Sequence, residues 1–364
     1  MENTAIKKRY AYIDNIKLSA CLLVVAGHFF MSMTANGLMP YSAPYYYILH
    51  TVYTFHVPVF FVCSGFLYQK TNRVHSFVSW RNNVGRKLLD LGVPYGVFTT
   101  VTVLLKHLFE NDVTSRSGDL LNTLFVHPTA PYWYLYALFF IFVFIPCVKS
   151  GKGAILLLSA AFAIKLAIII LSVYNISLPQ LVKERTGSIF LYMVLHIVFY
   201  SFSRLIWFAG GMALAFAKEE AVKKAARIVL PVSLTAAIVL SAVAFHPPQD
   251  YDKFSQFFIG ALMVVFIVFA TITFSPSSRN TVSERFADYF MPVFVTHTIF
   301  SAGIRIVLMK LGIDSLAVHI LGGIIGGFVL PAVTYLICRK LTPLMFVFYP
   351  NRTIKLMRKQ YGKS

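Results

Sequence analysis

Residues 14–28 read DNIKLSACLLVVAGH, an apolar segment broken by Asp14 and Lys17 at one end and His28 at the other. On a helix, the eleven residues from Lys17 to His28 make three turns plus about 20°, so both project from one side. Asp14 stands one turn before Lys17, at the i, i+3 spacing that permits an ion pair. At 1.5 Å per residue, His28 lies roughly 16 Å beyond Lys17, too far for the lysine to tune it directly. A neutral imidazole at that depth suits a general base that takes the proton of a hydroxyl, or a nucleophile that carries an acyl group. The sequence alone does not choose between them. A histidine that is merely hydrogen-bonded and a lysine that snorkels to the headgroups are the structural alternatives.

Further chemistry is spread along the chain. FHVPVFFVCSGFLYQK adds His56 and Ser64, with Pro58 positioned to kink a helix and Ser-Gly to admit a neighbouring one. WRNNVGRKLLDLGVPY carries Arg81, Arg86 and Lys87, whose guanidinium and ammonium groups suit phosphates as well as plain membrane anchoring. PYWYLYALFF places Trp133 and Tyr134 where an interfacial aromatic belt is expected, and FMPVFVTHTIF places His297 after a proline. Ser64, Tyr134 and Trp133 are the donors available to an oxyanion. Arg204 and Arg305 are candidates for pairing within a bundle. Cys21, Cys63, Cys147 and Cys338 all lie in apolar runs without ligand spacing, so neither a disulfide framework nor a metal site is expected.

The elements that must position these groups are membrane helices. Of 364 residues, 57% are hydrophobic and 13% charged, outside the range of a soluble globular chain. The expected fold is an all-α integral membrane protein in a single domain over 1–364. About ten spans are expected: 16–33, 45–68, 88–109, 133–148, 154–174, 188–210, 228–245, 256–275, 288–309 and 316–338. The first run carries Asp14 and Lys17 and no Ala-x-Ala site, so it is expected to stay as helix one. Segments on one side of this arrangement hold 23 Lys and Arg and those on the other hold 5, so both termini are expected in the cytoplasm. The net charge of +19 is then mainly a cytoplasmic surface that faces anionic lipid or receives an anionic ligand. No basic soluble module is present to suggest a nucleic-acid partner.

The ordered set YIDNIKLSACLLVVAGH, FHVPVFFVCSGFLY, a basic loop into VPY, PYWYLYALFFIFVFIP and VFVTH resembles the membrane-bound acyltransferase 3 family over nearly the whole chain. The resemblance implies transfer of an acyl group, commonly acetyl, from cytoplasmic acyl-CoA to a hydroxyl of a cell-surface or lipid-linked glycan or small glycoside. It implies a multi-pass protein of a cell membrane, bacterial plasma membrane above all. His28 falls on the family's helix-one histidine, and Lys17 stands where the family has an arginine, separated from that histidine by ten residues. Arg81, Arg86 and Lys87 fall near the family's basic loop, with Asp90 where a second base is expected. No metal is implied, and a homodimer is left open. The rival reading is a secondary transporter or flippase of an anionic or glycan-related substrate, in which His28, His56, Lys17 and Arg204 would relay protons or hold the anion.

Overall fold

The computed structural model describes residues 10–40, 42–71, 74–113, 118–246, 250–275 and 282–361. Those residues are helical almost throughout and contain no strand. The chain opens with α1 (Ala11–Ala35). A second run follows as α2 (Ala43–Phe55) and α3 (Pro58–Thr71), split at His56–Val57. The split falls where Pro58 has no N–H to give to the carbonyl of Thr54. A third run joins α4 (Phe77–Lys87) to α5 (Val93–Leu108) through a single π-helical turn at Leu88–Gly92.

After the short α6 (Leu120–Phe125) come α7 (Trp133–Phe144) and α8 (Gly151–Val173), then the small α9 (Leu178–Thr186). Helices α10 (Ile189–Phe202) and α11 (Leu205–Leu214) meet at a 44° bend. Helices α12 (Glu219–Ala244) and α13 (Lys253–Phe274) pack side by side. The last part holds α14 (Val282–Phe286), α15 (Phe290–Lys310), α16 (Leu316–Ile324), α17 (Leu330–Lys340) and α18 (Pro350–Tyr361). A second π-helical turn, Ile325–Val329, joins α16 to α17.

Eight of these helices or joined runs are long and apolar enough to cross a membrane, and the bent α10–α11 pair makes a ninth if read as one span. Each of the ten expected segments falls on one of these or on α7. With twelve residues, α7 is only about 18 Å long, short of a hydrocarbon core about 30 Å thick. Leu156 on α8, Phe190 on α10 and Ile228 on α12 stand exposed, as lipid-facing side chains do. The chain is an all-α integral membrane protein.

The interior is aromatic and close-packed around α1, α3, α7, α11 and α15. Small residues set how near the helices come. A Cβ at Gly65 on α3 would lie 2.0 Å from the carbonyl oxygen of Phe208 on α11, and one at Gly211 would lie 2.0 Å from that of Val62. These two glycines let the two backbones touch, the mode of packing that membranes favour.

Candidate active site

Helix α1 carries His28 into the middle of the bundle, where two other histidines converge on it. The His28 ring centroid is 5.4 Å from that of His297 on α15 and 6.0 Å from that of Tyr53 on α2. Tyr53 in turn meets the His56 ring edge-on at 4.7 Å. Room for the tyrosine comes from Gly27, where a Cβ would lie 3.0 Å from its ring. His28 is partly buried, and His56 and His297 are fully buried.

The backbone fixes how two of these rings are used. His56 Nδ1 lies 2.8 Å from the carbonyl of Val52, and His297 Nδ1 lies 3.0 and 2.9 Å from those of Val293 and Phe294. A carbonyl only accepts, so each Nδ1 donates and a neutral ring keeps its lone pair on Nε2. His297 Nε2 is buried with no hydrogen-bond partner. Among the described residues the nitrogens of His28 make no hydrogen bond, so its ring alone of the three is not pinned to its own helix.

The other expected residues divide into two groups. Ser64 Oγ and the Tyr134 hydroxyl are bonded to each other at 2.9 Å, and Tyr134 also donates to the carbonyl of Phe60 at 3.4 Å. Phe294 bridges that pair to the histidines, with its ring 5.6 Å from Tyr134 and 6.5 Å from His297. Trp133 stacks on Phe61 and receives the Arg204 guanidinium at 4.9 Å from its centroid. Arg204 also donates to the carbonyl of Tyr200 at 2.6 Å and the hydroxyl of Ser203 at 2.7 Å. Trp133 and Arg204 thus engage each other.

Asp14 is buried and Lys17 partly so, but the expected Asp14–Lys17 pair is not among the ion pairs of the described residues. Arg81 and Arg86 are exposed on α4, and Arg86 Nη2 donates to Asn83 Oδ1 at 3.1 Å. Lys87 turns inward, with its Nζ 4.1 Å from the Phe142 centroid. The π-helical turn that follows them contains Asp90, and such turns collect at functional sites.

Three features escaped the sequence reading. Tyr53 had no pattern to mark it, because its importance lies in facing His28 on another segment. Arg305 was named only as a pairing candidate; it is buried on α15 and hydrogen-bonds Ser32, one turn past His28 on α1. Helix α18 packs on the basic surface. Asn351 Nδ2 donates to the carbonyl of Arg86 at 2.9 Å, and Arg352 pairs with Asp288 at 3.1 Å, the carboxylate holding its guanidinium above the usual arginine range. The signal for α18 was a proline at its first position and a basic stretch whose Thr353 is fully buried.

Fold and site together define a polytopic membrane protein with an imidazole cluster inside its bundle. The family model of the acyltransferase 3 domain matches residues 10–336, and the chain belongs to the acyltransferase 3 family. It is a membrane acyltransferase. No curated protein and no solved structure matches the chain.

Proposed function

We propose that the chain moves an acyl group, acetyl in the simplest case, from cytoplasmic acyl-CoA to a hydroxyl of a cell-surface or lipid-linked glycan at the bacterial plasma membrane, as one acyltransferase domain. The supporting observation is the placement of His28, on the helix that carries Lys17 and facing His297 and Tyr53. Coenzyme phosphates meet Arg81, Arg86 and Lys87 at the basic end, and the pantetheine arm runs along α1 past Lys17.

His28 then acts as general base. It takes the proton of the acceptor hydroxyl as the oxygen attacks the thioester carbon; a C–O bond forms, the C–S bond breaks, and the proton passes to the departing thiolate to give free coenzyme A. The unpinned ring of His28 suits a group that gains and loses a proton within one turnover. Its neighbour His297, fixed through Nδ1, presents an Nε2 that can accept a proton relayed from it. Ser64 and Tyr134, joined to the cluster through Phe294, would turn a hydroxyl toward the developing oxyanion.

The test is purified protein in lipid nanodiscs given acetyl-CoA and a glycan acceptor, scored for free thiol and acylated product. His28→Ala is expected to lower turnover by about 10²- to 10⁴-fold, the range of a lost general base. Parent-like turnover by His28→Ala would sink the assignment. Trapping by acid quench distinguishes the covalent form, since an acyl-histidine would carry label from the donor before acceptor is added.

A further inference from the structure

A cavity of about 460 Å³ lies between α2, α8, α11 and α13, and it shares a wall with the histidine cluster. That wall is Tyr53, which lines the cavity while its ring contacts both His28 and His56. The volume is within the usual range for small-ligand sites, about 300–1,000 Å³.

Its polar groups are incompletely satisfied. The Tyr53 hydroxyl and His50 Nε2 are buried and have no hydrogen-bond partner. Lys165 and Lys253 both line the cavity. Lys165 is fourteen residues into the apolar α8, with its Nζ 5.7 Å from the centroid of the Phe257 ring. Neither lysine has a carboxylate partner among the described residues. The acid in the cavity, Asp250, is already held by His50 at 2.8 Å, Gln256 at 2.8 Å and the backbone N–H of Tyr251 at 2.7 Å.

An ammonium within a spanning helix is costly without a counter-charge, which is the position of Lys165, while Lys253 stands exposed at the first residue of α13. Two lysines lining one space, beside a tyrosine and a histidine, are the complement of an oxyanion. We infer that this cavity is the acceptor site and that it takes a sugar bearing an anionic group, carboxylate or phosphate. Lys165 and Lys253 hold the anion, and a sugar hydroxyl passes Tyr53 to reach His28. The inference rests on the acyl-transfer reading for its hydroxyl chemistry, but the anion site stands on the cavity alone.

The experiment uses the full chain in nanodiscs with three matched oligosaccharides: one containing a uronic acid, its carboxyl-reduced neutral counterpart, and a phosphorylated one. Binding is read by thermal shift without acyl-CoA, and turnover by acylated product. The uronic or the phosphorylated sugar is expected to bind at least about tenfold more tightly than the neutral one, the size of one charge-assisted hydrogen bond. Whichever of the two is preferred names the anion. Lys165→Gln and Lys253→Gln should each erase that preference, in binding and in KM, and Lys165→Arg should restore it if Lys165→Gln is poorly folded. Equal binding of charged and neutral sugars by the parent, or an undiminished preference in Lys253→Gln, would overturn the inference. Anion-selective binding without any product would keep the anion site and refute the acyl-transfer reading instead.

Discussion

Gly211 and Gly210 are neighbours on α11 with opposite surroundings. A Cβ at Gly211 would sit 2.0 Å from the carbonyl oxygen of Val62, whereas a Cβ at Gly210 meets nothing within 4 Å. Ordinary contact begins at 3.4 Å, so alanine at 211 requires α3 and α11 to part by about 1.4 Å. The obstacle is backbone and cannot rotate away. Overpacking of this kind costs about 1–3 kcal/mol, and Gly211→Ala should lower the unfolding temperature in detergent by several degrees. Because α3 carries Ser64, turnover should fall too, by up to about 100-fold for a displacement near 1 Å. Gly210→Ala removes a flexible residue from a helix at no steric cost and should leave stability equal to or up to about 1 kcal/mol above the parent. Thermal unfolding and turnover of both variants, measured side by side, check the reasoning. It fails if Gly211→Ala unfolds at the parent's temperature, or if the two alanines behave alike.

Tyr134→Phe keeps the ring against Phe294 but takes the hydroxyl from Ser64, and thermal unfolding should report a loss of about 1 kcal/mol. Asp252 caps α13 through the N–H groups of Phe254 and Ser255 and accepts from the Ser255 hydroxyl, which holds its carboxyl below its ordinary value of 3.8. Its contribution is therefore present above pH 3.8 and lost as pH falls through the lower folded value; Asp252→Ala should cost about 1 kcal/mol at neutral pH and flatten that acid limb, measured by unfolding across pH. Lys17→Arg should retain turnover with acyl-CoA, because the charge stays and a planar fork is added, while Lys17→Ala should raise the KM for the coenzyme; equal KM values in all three proteins would remove Lys17 from the donor path.

Much of the architecture follows from composition and spacing alone. Twenty or so apolar residues in a row form a helix wherever lipid is the solvent, because every backbone group must be bonded internally, so the all-α membrane class and helix one's face from Lys17 to His28 could be read without coordinates. The breaks were partly legible as well: Pro58 marked the split between α2 and α3. The π-helical turns at Leu88–Gly92 and Ile325–Val329 left no sequence pattern, since they depend on how neighbouring helices pack.

The site was legible as a set of residue types and not as an arrangement. His28, His56 and His297 were each visible as polar residues in apolar runs, but a periodicity describes one helix at a time and says nothing of which faces meet. Only the tertiary structure joined His28 to His297 and Tyr53, paired Ser64 with Tyr134, and turned Trp133 toward Arg204. It also set Lys165, a cation in an apolar helix, beside a cavity that Tyr53 lines as well. The chain's sequence determined that it enters the membrane as helices and which helix carries the histidine at depth. Which side chains surround that histidine was decided by glycine-limited approach distances between helices far apart in sequence.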